Sequence, residues 1–462
     1  MGSVRRLSLG VPGLDRLIGE VEVPYTLLVA GHPGAGKTTL ASTVCYANAV
    51  QGRRCLYITF YEDREKLFRF MKRLGLDLES TESRGLLRFV RLPQTIDVNA
   101  VVGEVNKLLT EGFDVVVVDS VTALLEPVKE SAERRAWLLN YFYQLPAVFG
   151  GLLILVAELP YGEEKLGLGS VEFVADATIL LKHRIEDGFL ARLIEVRKAR
   201  GAPVHVAETH FTIAEGAGLM VFAPPVLADL PPEGRDIILC ETAEGAIRIR
   251  GGFIVNLFYP PEPGAGIDAL IWALAAAVRN GMKALVVSYT RPTPVLREAV
   301  ERRLAEYGLS GEEISRLIDR HMEFVALNPF AHSLTQLVAR ELTIIEQRKP
   351  DIVLFWGIHL PRGSDGYVAV LKELFNELMY LKSRGITVVR VGPCLDEEVC
   401  NAETSISDLT ARFVREFRED GSAQTKIYFY ERLEEPRMFP SSVVSEFMKR
   451  CVEMLREYSK KV

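Results

Sequence analysis

Short, largely apolar runs recur through the first half of the chain: Tyr25 to Ala30, Cys55 to Phe60, Val115 to Val118 and Leu152 to Ala157. Runs of this length without polar alternation suit strands buried on both faces. Between them stand segments with helical spacing, Lys37 to Val50, Glu65 to Leu74 and Val98 to Thr110. Alternation of strand and helix predicts an α/β domain, three layers deep, with a mostly parallel sheet between two layers of helices.

The pattern stops between Phe222 and Arg235, where Pro224, Pro225, Pro231 and Pro232 block both a helix and a central strand. This predicts a first domain over residues 1–223, a Pro-rich linker over 224–233 and a second domain over 234–440. The same order then returns about 230 residues later. Pro263-Gly264-Ala265-Gly266 repeats Pro33-Gly34-Ala35-Gly36, Gly281 to Tyr289 tracks Gly52 to Phe60, and Asp351 to Phe355 tracks Asp114 to Val118. The alternative is a pair of unrelated α/β domains sharing a chance four-residue match. After Pro440, residues Val444, Phe447, Met448, Cys451, Val452, Leu455 and Tyr458 fall at helical spacing, so 441–462 reads as an amphipathic helix.

Composition narrows the function classes. At 462 residues the chain suits two domains. Its 48% hydrophobic and 25% charged residues are those of a folded globular protein. A net charge of -6 supplies no global attraction for nucleic acid or an anionic membrane. The longest apolar run, Ala269 to Val278, falls short of the roughly 20 residues a bilayer requires and reads as a buried helix. The first residues lack the layout of a secretory signal, which sets the expectation of a cytoplasmic protein. Six cysteines and seven histidines show no paired metal spacing, and the cysteines read as buried thiols. A Cys394–Cys400 disulfide is compatible with the sequence, but spacing does not establish it.

The chemistry concentrates at Gly31-His32-Pro33-Gly34-Ala35-Gly36-Lys37-Thr38, a G-x-x-x-x-G-K-[ST] segment between a predicted strand and a predicted helix. Its glycines let backbone N–H groups turn toward phosphates, and the helix start adds a positive dipole. Lys37 reaches the β and γ phosphates of ATP, and Thr38 supplies a hydroxyl for magnesium. Asp119, at the end of the Val115 run, is placed to hold the magnesium through water. Glu62 and Asp63, after the strand Cys55 to Phe60, are candidates for activating a water, with helix capping as the plain alternative. Glu158 ends another strand and is a weaker candidate for sensing the γ phosphate. In the second half Ile267 and Asp268 stand where Lys37 and Thr38 stand, and Trp356 replaces Asp119, so phosphate and magnesium ligands are lost together.

Four stretches together resemble the KaiC-like branch of the RecA-type P-loop ATPases across the first half of the chain. They are Gly10-Val11-Pro12-Gly13-Leu14-Asp15, the P-loop with Thr39, Val117-Val118-Asp119-Ser120-Val121-Thr122, and Lys198-Ala199-Arg200-Gly201 followed by Phe211-Thr212-Ile213. The resemblance implies a RecA-type fold in both halves and a homo-oligomeric ring, such as a hexamer, with ATP between subunits. It also implies that Lys198 and Arg200 reach a neighbour's phosphates. The family's pair of adjacent glutamates is here Tyr61 and Glu62. A tyrosine hydroxyl near pKa 10 is a poor proton acceptor, which implies slow hydrolysis. The two-domain layout is shared with the family's clock members, yet no phosphorylation site carries over. The expected function is thus a slow Mg-dependent ATPase that assembles through its first domain, the second serving as a non-catalytic platform, either structural or for binding an unidentified protein partner. An ATP-linked scaffold without turnover, a DNA motor and an autokinase are the alternatives; the acidic balance opposes the DNA motor.

Overall fold

The structure is a computed structural model describing residues 5–93, 97–128, 130–160, 175–186, 188–225, 227, 230, 234, 236–242, 245–261, 266–360, 367–417, 423–432 and 434–460. It divides into two compact units, Met1–Ala223 and Pro224–Val462. Pro231, Pro232 and Pro263 to Ala265 lie outside the described residues.

In the first unit a small two-stranded antiparallel sheet, β1 (Arg6–Leu7) with β2 (Val21–Glu22), precedes the main sheet. That sheet contains β3 (Tyr25–Gly31), β4 (Cys55–Thr59), β5 (Leu87–Arg91), β6 (Val115–Asp119), β7 (Leu152–Glu158), β8 (Ala177–Glu186), β9 (Phe189–Ala199), β10 (Glu208–Ala214) and β11 (Gly218–Val221). Their spatial order is β5-β4-β6-β7-β3-β8-β9-β10-β11. The strands from β5 to β8 run parallel, and β9 to β11 return antiparallel. Both faces of the central strands are covered, which is why Val115 to Val118 need no polar alternation. One face packs under the helix Lys37–Val50 and the other under the helices Val98–Leu109 and Ala132–Phe149. Side-chain caps start these elements where expected: Asp97 accepts the N–H groups of Asn99 and Ala100, and Ser131 that of Arg134.

The second unit opens with the hairpin β12 (Asp236–Thr242) and β13 (Gly245–Arg250). Its main sheet contains β14 (Ile254–Tyr259), β15 (Ala284–Ser288), β16 (Met322–Ala326), β17 (Ile352–Trp356), β18 (Thr387–Pro393), β19 (Leu409–Phe417), β20 (Ala423–Glu431) and β21 (Arg437–Pro440). The order β16-β15-β17-β18-β14-β19-β20-β21 repeats that of the first sheet from β5 to β10, β11 having no counterpart, and changes from parallel to antiparallel after β19 as the first does after β8. A chance match of four residues does not produce that agreement. The chain is two tandem RecA-type α/β/α domains. The apolar run at Ala269 is the buried centre of the helix Ile267–Asn280. On the closing helix, Ser441–Ser459, the residues Phe447, Met448, Cys451, Val452 and Leu455 are buried in this unit's core.

The cysteine reading needs correction. Cys45 and Cys55 are buried thiols, but Cys394 is disulfide-bonded to Cys400 across a Cα separation of 6.0 Å. Cys451 is disulfide-bonded as well. Cys394 follows β18 and Cys400 lies on the next helix, Glu397–Ser405, so the turn returns the two sulfurs to each other. No helix among the described residues is long and apolar enough to cross a membrane.

Candidate nucleotide-binding site

The strand β3 ends at Gly31, where a Cβ would sit 2.3 Å from the carbonyl oxygen of Leu181 on β8. From there the backbone turns through Gly34 at φ 75° and Gly36 at φ 105°, and the helix begins at Lys37. Positive φ suits glycine, and the first N–H groups of a helix have no carbonyl one turn earlier, so they remain available to an anion. A Cβ at Gly36 would also lie 2.6 Å from Ile213 Cδ1. Gly36→Ala is expected to cost about 1–3 kcal/mol through backbone strain. Thermal unfolding of the variant should begin at a lower temperature than that of the native chain.

One basic and two acidic side chains meet near this turn. Lys37 Nζ donates to the His32 carbonyl at 2.9 Å and pairs with Glu158 Oε2 at 2.8 Å, with Lys37 5% and Glu158 42% exposed. Thr38 Oγ1 donates to Asp119 Oδ2 at 2.8 Å, and the hydroxyl of Tyr57 donates to the same oxygen at 2.7 Å. Thr39 follows on the same turn and accepts from Thr43 Oγ1 through its carbonyl. Burial pushes the Asp119 carboxyl above its ordinary range; the two hydroxyl bonds pull it down, and the charges of Glu62 and Glu158 push it up again. An excess of negative charge at a buried carboxylate beside a threonine hydroxyl fits a hard divalent cation such as magnesium.

The strand order explains this convergence. Thr59 at the end of β4 is in register with Asp119 at the end of β6, and Gly31 with Glu158 at the end of β7. All four positions lie at the carboxyl ends of parallel strands, where α/β sheets bind ligands. Thr59 Oγ1 accepts the N–H groups of Tyr61 at 3.3 Å and Glu62 at 3.1 Å, fixing the turn that follows β4. The structure then separates the acidic candidates. Asp63 caps the helix Arg64–Arg73 by accepting the Lys66 N–H at 3.0 Å, while Glu62 acts electrostatically on Asp119. Tyr61 is 55% exposed.

Lys198 and Arg200 sit elsewhere. Lys198 pairs with Thr178, whereas Gly31 pairs with Leu181 further along β8, so about 10 Å of strand separates the two levels. Lys198 Nζ donates to the Ala175 carbonyl at 2.6 Å, and Arg200 pairs with Asp176 at 3.1 Å. Burial and the neighbouring Arg200 hold the Lys198 amine below its ordinary range, against the pull of Asp176. These two cations do not gather around Lys37 of their own chain.

Sequence reasoning missed Tyr57 and His183. A tyrosine inside a fully buried strand requires a partner for its hydroxyl, and that was the available signal. Tyr57→Phe should weaken magnesium-dependent nucleotide binding by about fivefold, the worth of one hydrogen bond, in a calorimetric titration. His183 meets His32 edge to face at 5.9 Å, and burial, His32, Arg192 and Lys37 all lower its imidazole pKa.

At the second domain's counterpart two rings lie against Gly266. Gly266 retains φ 85° before the helix Ile267–Asn280, but a Cβ there would lie 2.6 Å from the Tyr259 ring and 3.2 Å from Trp356. Those two rings have centroids 6.2 Å apart. Asp268, in the place of Thr38, is paired with Arg303 at 3.0 Å.

The family model described as the KaiC ATPase matches residues 7–226. The circadian clock protein KaiC3 of Synechocystis sp. is 25% identical over 368 residues, covering 76% of this chain and 71% of that protein. The circadian clock oscillator protein KaiC of Parathermosynechococcus lividus is 26% identical over 203 residues, 43% of this chain and 37% of its own length. The circadian clock protein KaiC2 of Synechocystis sp. is 37% identical over 89 residues, 19% of this chain and 16% of its own length. The matched region therefore spans less than half of the oscillator protein.

Proposed function

We propose, given that this chain is a KaiC-like protein whose first half is a KaiC-family ATPase domain, that it is a slow Mg-dependent ATPase assembling into a ring through that domain. The observation that carries the reading is that Lys37 and Thr38 follow β3, and Glu62 follows β4, at the same end of the sheet at which β6 stops at Asp119. On binding, the ATP phosphates would take the N–H groups of the Gly31 to Thr38 turn and draw Lys37 away from Glu158. Magnesium would be held by Thr38 and, through water, by Asp119, neutralising charge on the transferring phosphate. Glu62 would orient and deprotonate the attacking water. With Tyr61 in the place of a second carboxylate, turnover would be slow, and nucleotide would spend most of its time as a ligand that links subunits.

Lys198 and Arg200, held away from the site of their own chain, are assigned to the phosphates of an adjoining subunit. The second domain, with rings where phosphate and magnesium ligands stood, serves as a non-catalytic platform. Mixing tests the assembly claim. Lys37→Ala chains and Arg200→Ala chains should each release little phosphate alone, and a mixture should regain part of the native rate, because some interfaces then combine an intact P-loop with an intact Arg200. A mixture no more active than its components would remove Arg200 from the site. Equal phosphate release by the native chain and Lys37→Ala would remove enzymatic turnover and leave the scaffold reading.

A further inference from the structure

In the first domain the helix layer opposite the P-loop helix is apolar, built from residues such as Val101, Val105, Leu138 and Phe142. The matching layer of the second domain buries charge. Its helices Leu334–Arg348 and Tyr367–Ser383 place Glu341 at 2% exposure and Glu377 at 5%. The two carboxyl groups are hydrogen-bonded to one another, and the hydroxyl of Tyr289 donates to Glu341 Oε1 at 2.6 Å. Glu377 Oε1 makes no hydrogen bond among the described residues. Both glutamates line a cavity of about 40 Å³, with Phe355, Ile358 and Arg390 among its walls. That volume admits water and little else.

Two carboxylates in contact in a low dielectric repel by several kcal/mol, and one proton between them turns repulsion into a hydrogen bond. The nearby cation does not supply the missing charge. Arg390 Nη1 is already engaged by Glu403 at 3.0 Å and by Asn256 at 3.2 Å. We propose that Glu341 and Glu377 form a proton-binding site in the second domain, holding one proton between them, and that its release loosens the two helices from the sheet.

The groups facing the pair are Tyr289 from the end of β15, Arg390 from β18, Glu403 from the helix Glu397–Ser405, and Glu373 on Glu377's own helix. Loss of the proton leaves Arg390 among three carboxylates. Burial raises both glutamates, Glu377 to about 7. A folded-state pKa above the unfolded value means stability that is full at acid pH; Glu377's part is lost as pH rises through about 7, and Glu341, raised well above its ordinary value, keeps the shared proton beyond that.

Infrared spectra of the full chain at about pH 6 should show the carbonyl stretch of a buried carboxylic acid, which weakens by about pH 8 as one proton leaves the pair and is absent from the double variant Glu341→Gln, Glu377→Gln. Amide exchange in the two helices, corrected for the intrinsic rate, should lose protection steeply up to neutrality, where both glutamates contribute, and less steeply above it, where Glu341 alone does. In the double variant Glu341→Gln, Glu377→Gln the slope should disappear, because the amides mimic the protonated acids. Lack of the carbonyl band in the native chain at about pH 6 would overturn the proposal even if the variant fails to fold. So would a helix layer stabilised by added potassium with no such band, which would make the occupant a monovalent cation.

Discussion

Lys37→Ala is expected to weaken binding of ATP with magnesium by roughly 100-fold, the worth of hydrogen bonds from a charged donor, and to reduce phosphate release to background. The geometry makes this a clean experiment. Lys37 is 5% exposed, yet its partners are a backbone carbonyl and Glu158, which is 42% exposed and stays solvated when the ammonium is removed. The domain should therefore fold with little change in its unfolding temperature. Titration with a fluorescent ATP analogue, alongside thermal unfolding, separates loss of the phosphate ligand from loss of structure.

Asp119→Asn should reduce magnesium-dependent turnover by roughly 100-fold, at the upper end of what removing an outer-sphere metal partner costs. Its effect on stability should have the opposite sign. Burial raises the Asp119 carboxyl, so the carboxylate's contribution to stability is full at acid pH and lost as pH rises through the raised value. An asparagine oxygen still accepts from Thr38 and Tyr57 but carries no charge to desolvate. Without magnesium, the variant should unfold at a higher temperature than the native chain near neutrality. In the native chain, magnesium-dependent affinity should fall on acidification before an ordinary aspartate would protonate, and the variant should lack that dependence. Calorimetric titrations across pH, with and without magnesium, check both signs.

Much of this was legible in the residue pattern. Unbroken valines marked the central strand that ends in Asp119, and the glycines marked the turn before Lys37. Repetition of both signals about 230 residues later predicted a second domain, whose sheet has the same strand order. Contacts between distant strands were less visible. That Tyr57 shares Asp119 with Thr38 depends on the register between β4 and β6, which no local pattern records. The pairing of Cys394 with Cys400 depends on the turn after β18, because the same spacing on one helix would point the sulfurs apart. Asp63 reads equally well as a catalytic base or a helix cap in sequence, and the Lys66 N–H resolves it as the cap. Glu341 and Glu377 lie in helical stretches where glutamate ordinarily faces water, so their burial emerged only from packing.

The central claim is that one intact site stands beside one altered copy, and nucleotide stoichiometry tests it most directly. Equilibrium dialysis of the full chain against a labelled, non-hydrolysable ATP analogue with magnesium should saturate at one nucleotide per chain, and Lys37→Ala should abolish that binding over the same range. Saturation at two per chain, or full binding by Lys37→Ala, would contradict the account.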